Sequence, residues 1–147
     1  MPSSSKVQQQ ILRLLPCHVT GTVYELGSGW GGLALALGDV FPQAQVYGYE
    51  LSPAPYFFSL LRRFYSSLSN VIFKRCDFFD EDLSDANIIV VYLFPEAMEK
   101  LAVKFKELPA GTMIISSTFT LPGWTPKHVT YIDDLYHTPV YLYQVGV

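Results

Sequence analysis

The sequence predicts an α/β domain whose sheet is mostly parallel and is finished by an antiparallel hairpin. Three observations predict it. Short β-branched runs alternate with longer stretches of helical period along the chain. A glycine-rich segment, Gly27 to Gly32, falls where the first of those runs gives way to a helix. The last two apolar runs are joined by Asp133 to Pro139, too short for a crossover helix, so they pair antiparallel.

The elements follow in order. Ser4 or Ser5 caps a first helix to about Leu15, with Val7, Ile11, Leu14 and Leu15 on its apolar side, and Pro16 ends it. Thr22 to Leu26 reads as strand one and Leu33 to about Phe41 as the next helix. Gln45 to Leu51 is strand two. Ser52-Pro53 opens a helix to about Leu68, with Phe57, Leu60, Leu61 and Phe64 expected inward. Val71 to Asp77 is strand three, Phe78 to Ala86 a loop or short turn, and Asn87 to Phe94 strand four. Pro95 starts a helix ending near Leu108, Met113 to Phe119 is strand five, and Val129 to Ile132 and Val140 to Val145 form the hairpin.

Composition bounds the function. The 147 residues make one domain, spanning 1–147 with residues 1–16 leading in as a helix. Half the residues are hydrophobic and 16% are charged, which excludes a disordered chain. A formal net charge of −3, with no run of Lys or Arg, gives no basic surface for nucleic acid. The longest apolar run, Ile88 to Pro95, falls far short of the ~20 residues of a membrane span. The N-terminus has the pattern of no signal peptide. Cys17 and Cys76 lie far apart and no metal-ligand spacing is present, so a reduced, cytoplasmic protein without structural metal is expected.

The chemistry concentrates in Glu25-Leu26-Gly27-Ser28-Gly29-Trp30-Gly31-Gly32. Glycines there let the backbone turn tightly and approach a ligand, and the helix start offers free N–H groups. Gly27, Gly29 and Gly32 satisfy the dinucleotide spacing GxGxxG, while Gly27, Gly29 and Gly31 satisfy the GxGxG of methyl-donor binders. Both want an acid at the end of strand two for the ribose hydroxyls, and Glu50 sits there. Glu25 favours the methyl donor: its carboxylate suits the ammonium of an amino-acid moiety and repels a pyrophosphate. Asp77, at the end of strand three, is placed to accept from an adenine amino group.

These residues carry a resemblance to the class I S-adenosylmethionine-dependent methyltransferases. It runs through Glu25-Leu26-Gly27-Ser28-Gly29, Glu50, Asp77 and Tyr92-Leu93-Phe94-Pro95 to the terminal hairpin. The resemblance implies a Rossmann-like three-layer αβα sandwich with seven strands in the order 3-2-1-4-5-7-6. It implies S-adenosyl-L-methionine as cofactor and S-adenosyl-L-homocysteine as product, held by Glu25, Gly27, Ser28, Gly29, Glu50, Leu51, Asp77, Phe78 and Tyr92. Within that superfamily the chain resembles the small single-domain protein-lysine methyltransferases. It shares their Pro2-Ser3 lead-in, Gly48-Tyr49-Glu50-Leu51, Pro95 and the Phe-x-x-Pro-x-Trp segment from Phe119 to Trp124. It departs in Trp30-Gly31-Gly32, where that group has Asp-Gly-Arg, and in Ser117 or Thr118, where the group carries Arg.

A lysine acceptor must lose its proton, which an apolar pocket favours. Tyr92, Phe94, Phe119 and Trp124 are the candidates for that pocket, at the ends of strands four and five and in the loop beyond. No general base is evident. The Asp/Asn-Pro-Pro-Tyr/Phe signature of methyltransferases acting on exocyclic and amide nitrogens is replaced by Tyr92-Leu93-Phe94-Pro95. The expectation is methyl transfer to a protein lysine, with no nucleic-acid partner and no membrane span. The alternatives are a small-molecule methyltransferase, a non-catalytic cofactor-binding module and an NAD-binding oxidoreductase.

Overall fold

Chain order in the computed structural model, which describes residues 5–146, is α1 (Ser5–Leu14), β1 (Gly21–Leu26), α2 (Gly32–Val40), β2 (Ala44–Tyr49), α3 (Pro53–Ser66), β3 (Val71–Lys74), β4 (Ala86–Val91), α4 (Pro95–Lys104), β5 (Met113–Ser117), β6 (His128–Tyr131) and β7 (Pro139–Gln144). Ser4 as a cap and the Pro2-Ser3 lead-in lie outside the described residues. One sheet runs in the order β3-β2-β1-β4-β5-β7-β6. Strands β1 to β5 are parallel, and β7 pairs antiparallel with both β5 and β6.

Each sheet face has its own apolar core, which makes three layers. Strand β4 is buried on both sides, so it reads as a continuous apolar run and not as an alternation. On one face Val23, Val46, Val71, Ile88 and Ile115 pack against Val7 and Ile11 of α1 and Leu33 and Leu37 of α2. On the other, Leu26, Ile89, Ile114 and Tyr143 pack against Met98 and Leu101 of α4 and Phe105 just beyond it. Pro95 starts α4 in the first turn, where a missing N–H costs nothing.

Several boundaries differ from expectation. Strand β3 stops at Lys74, and Asp77 caps a single 3-10 turn, Phe78–Asp80. Strand β4 ends at Val91, leaving Tyr92, Leu93 and Phe94 in the connection to α4. The helix expected to Leu108 tightens into a 3-10 turn at Phe105–Glu107. Strand β5 ends at Ser117 because Thr118 turns to φ 75°.

The main correction concerns α3. Phe57, Leu60, Leu61 and Phe64 were expected inward, and all four are exposed. The inward stripe is Tyr56, Ser59, Arg63 and Ser66, with Ser59 fully buried. Polar anchors fix this rotation. The Ser59 hydroxyl lies 3.0 Å from the Gly29 carbonyl oxygen and 2.8 Å from that of Pro55. Arg63 Nε donates to the Val71 carbonyl. Glycine at 31 makes this close packing possible, since a Cβ there would lie 2.8 Å from Ser59 Oγ.

Tyr143 ties the loop after β5 to the core: its fully buried hydroxyl accepts from the Leu121 N–H at 3.0 Å. Tyr143→Phe leaves that buried donor unpaired, at a cost of about 1–3 kcal/mol. Urea unfolding is expected to show this loss with an unchanged m-value; equal stability of variant and parent contradicts the role given to the bond.

Candidate functional site

The site is built on the sharp turn between β1 and α2. Gly27 and Ser28 both donate their backbone N–H to the Tyr49 carbonyl, at 2.9 and 3.0 Å, which pins the turn to the end of β2. Gly27 sits at φ 75°, and a Cβ there would meet Leu93 at 2.8 Å. Gly29, at φ 56°, has open space where its Cβ would be, so a ligand can approach its backbone.

Two carboxylates flank this turn. Glu50 bridges it to α3: Oε1 accepts from the Gly29 N–H at 2.8 Å and Oε2 from the Ser52 N–H at 2.9 Å. Glu25 is buried, and Oε1 has no hydrogen-bond partner among the described residues; Ser28 Oγ has none either. Burial pushes the Glu25 carboxyl up to about 8, opposed by the Ala34 backbone N–H and assisted by the charge of Glu50.

Two pockets meet at this turn and share Gly27, Gly29 and Tyr92. The first, about 240 Å³, is lined by Glu25, Ser28, Trp30, Leu33 and Arg62. The second, about 330 Å³, is lined by Tyr49, Glu50, Leu51, Phe78, Phe94 and Phe119. The first offers a partnerless acidic oxygen to a cation; the second offers aromatic walls and a carboxylate at one side. A ligand cationic at one end, with a flat hydroxyl-bearing group at the other, matches both. The amino-acid and nucleoside ends of S-adenosylmethionine have that chemistry.

Of the candidate cofactor residues, eight line these pockets: Glu25, Gly27, Ser28, Gly29, Glu50, Leu51, Phe78 and Tyr92. Asp77 lines neither. Its carboxylate accepts from the Phe79 N–H at 3.0 Å, so it caps the turn that carries Phe78, because β3 ends three residues before it.

Among the acceptor candidates, Tyr92, Phe94 and Phe119 line the second pocket. Trp124 does not. Its indole Nε1 donates to the Ala102 carbonyl at 3.0 Å, and its ring packs edge-on to Tyr143 at 6.2 Å. The last carbonyls of a helix lack intrahelical partners, and an indole N–H satisfies one of them here. Three of the four acids at 80–85 are also occupied within the fold. Glu81 pairs with Lys74 at 3.0 Å, Asp85 accepts from the Tyr24 hydroxyl at 2.6 Å, and Asp82 accepts from the Ser84 N–H at 2.9 Å.

Three contributors were missed. Thr118, at φ 75°, forms a γ-turn in which the Phe119 N–H donates to the Ser117 carbonyl at 2.9 Å. A β-branched residue in that conformation is strained, and it sits where the chain leaves β5 with Phe119 at the second pocket. Arg62 donates to the Trp30 carbonyl at 3.2 Å, and Trp30 packs edge-on to Phe58 at 5.4 Å. No local pattern in the sequence signals the contacts of Trp30, which join residues far apart in the chain.

The raised Glu25 pKa has a sign for stability. The folded state holds the proton longer than the unfolded chain, so the contribution is complete below about pH 4.5 and is lost as pH rises through about 8. The ligand-free protein is expected to lose a few kcal/mol more unfolding free energy between about pH 5 and about pH 8 than Glu25→Gln does. Parallel pH profiles for the two proteins contradict a buried neutral Glu25.

The ANTKMT methyltransferase domain family matches residues 25–128, from the buried Glu25 to the start of β6. The chain is 28% identical over 158 residues to a protein-lysine N-methyltransferase of Saccharolobus islandicus, across 99% of this chain and 92% of that protein. It is 31% identical over 129 residues to the adenine nucleotide translocase lysine N-methyltransferase of Mus musculus, covering 86% of this chain and 56% of that protein. It thus spans a little over half the length of the mouse relative. The fold matches an RNA methyltransferase from Salinibacter ruber, in complex with S-adenosyl-L-homocysteine, with a TM-score of 0.89 and 26% identity over 99% of this chain and 94% of that one. With the sheet order, the two-pocket turn and this family match together, the chain belongs to the ANTKMT methyltransferase domain family and is a class I S-adenosylmethionine-dependent methyltransferase.

Proposed function

We propose that the acceptor is the ε-amino group of a lysine in a protein. The observation that carries this reading is the aromatic wall of Tyr92, Phe94 and Phe119, which adjoins the turn and has Glu50 as its pocket's sole carboxylate among the described residues. The near-full-length likeness to an archaeal protein-lysine N-methyltransferase supports it.

In this reading Glu25 takes the ammonium of the cofactor's amino-acid end, beside the Ser28 hydroxyl. Each Glu50 oxygen already accepts one backbone N–H and keeps a further lone pair for a ribose hydroxyl. Tyr49, Leu51 and Phe78 wall the adenine, with Asp77 holding the turn of Phe78. When bound, S-adenosylmethionine supplies a methyl group activated by a sulfonium centre. The chain's own task is to orient and dehydrate the acceptor. Tyr92, Phe94 and Phe119 remove water from the lysine nitrogen, which lowers its pKa and frees the lone pair. The proton leaves to solvent, so no side-chain base is required.

The whole chain, residues 1–147, is read as a single cofactor-binding domain. Two unpaired cysteines support a reducing, cytoplasmic setting. Among the described residues, no helix is long and apolar enough to cross a membrane. A second reading, an RNA acceptor, draws on the Salinibacter ruber neighbour; the acid-rich balance of the chain supports a protein instead.

The test is transfer of radiolabelled methyl from S-adenosylmethionine to a lysine-rich unfolded protein, to total RNA and to free lysine. Label on the protein, recovered as methyl-lysine after hydrolysis, is the expected result. Glu50→Ala is expected to weaken S-adenosylhomocysteine binding at least tenfold, about 1.4 kcal/mol. Label in RNA alone, or in free lysine alone, overturns the protein-lysine reading.

A further inference from the structure

The outward face of α3 is apolar. Phe57 is 61% exposed, Phe64 76% and Tyr65 75%, and Phe58, Leu60 and Leu61 are exposed beside them. The polar anchors that turn Ser59 and Arg63 inward leave the aromatic side of the helix to the outside. These six side chains present roughly 600 Å² of surface, at about 150–250 Å² for a whole aromatic. That reaches the upper end of the largest patch on an ordinary monomer, and it extends to Trp30, packed edge-on against Phe58.

The charge in this stretch of chain is one-sided. From Leu51 to Cys76 the chain carries Arg62, Arg63, Lys74 and Arg75 and no acidic residue, although the whole chain is −3. Lys74 is paired with Glu81, and Arg63 donates inward to the Val71 carbonyl. Arg62 and Arg75 are exposed, held by hydrogen bonds to the carbonyls of Trp30 and Leu51. The acids that bracket the stretch, Glu50 and Asp77, are engaged with backbone N–H groups.

We infer that this face docks on an anionic lipid bilayer surface, with the aromatic side of α3 in the headgroup region and arginines against lipid phosphates. Phe, Tyr and Leu beside two exposed arginines, in a stretch of chain that carries no carboxylate, is the composition of a helix that lies in a membrane interface. A second copy fits less well. A twofold contact sets the same patch against itself, so cations meet cations with no carboxylate from this stretch to pair them. The inference is independent of the acceptor, and none of Phe57, Phe64 and Tyr65 lines either cofactor pocket.

The test is flotation of the full chain with vesicles of phosphatidylcholine and phosphatidylglycerol, against phosphatidylcholine alone, with light scattering to give the particle mass. The expected result is a monomer that floats with the anionic vesicles. Binding is expected to fall at least tenfold without phosphatidylglycerol and again at about 0.5 M salt, where exposed charges are screened. Replacing Phe57, Phe64 and Tyr65 together by Ser is expected to cost at least tenfold in vesicle binding. S-adenosylhomocysteine affinity, unchanged in that variant, shows that it is folded. No flotation of the parent, equal binding to both vesicle types, or equal binding by the folded variant overturns the proposal. So does a dimer that the variant dissociates, which assigns the face to a second copy.

Discussion

The turn from Gly27 to Gly31 is the constraint on which the rest of the structure depends. Its N–H groups are spent on Tyr49 and Glu50, and its Gly29 carbonyl meets the Ser59 hydroxyl. One short segment thereby locks together the ends of β1 and β2 and the rotation of α3. The same closeness keeps Glu25 out of water. Its position at the end of β1, beneath the turn, leaves one oxygen without a partner, an arrangement that costs stability unless a ligand supplies the donor.

The consequence is a site charged only on demand. In the free protein the Glu25 carboxyl holds its proton at neutral pH because burial raises its pKa to about 8. A cation arriving in that pocket stabilises the ionised form and expels the proton. Glu50 is held differently, by the backbone N–H groups of Gly29 and Ser52. Two carboxylates near one turn thus sit in different surroundings, one buried with an oxygen left unpartnered, the other braced by two backbone N–H groups.

Much of this was legible in the sequence because it is local. The strand-turn-helix at Gly27, the acids at 25 and 50, the parallel alternation and the short final hairpin all follow from neighbouring residues. The parts that escaped depend on contacts between distant segments. The α3 rotation is set by Ser59 against Gly29 and Arg63 against Val71, so hydrophobicity, which pointed Phe57 and Phe64 inward, lost to polar anchors and a close approach to Gly31. Trp124 was read as a pocket aromatic, yet a carbonyl near the end of α4 captures its indole. Asp77, expected at the end of strand three, lies three residues beyond it and caps the following turn. Phe119 was among the aromatics expected at the pocket and lines it, whereas the strained Thr118 before it had no sequence signal, since a left-handed Thr is imposed by its surroundings.

Whether Glu25 is neutral in the free protein and ionises against the cofactor's ammonium is read most directly by calorimetry. S-adenosylhomocysteine is titrated at pH 7 into the protein in buffers of different ionisation enthalpy. Close to one proton is expected to be released per site, since a carboxyl with a pKa near 8 is mostly protonated beforehand, and that release is expected to vanish in Glu25→Gln. Binding with the same heat in every buffer contradicts it.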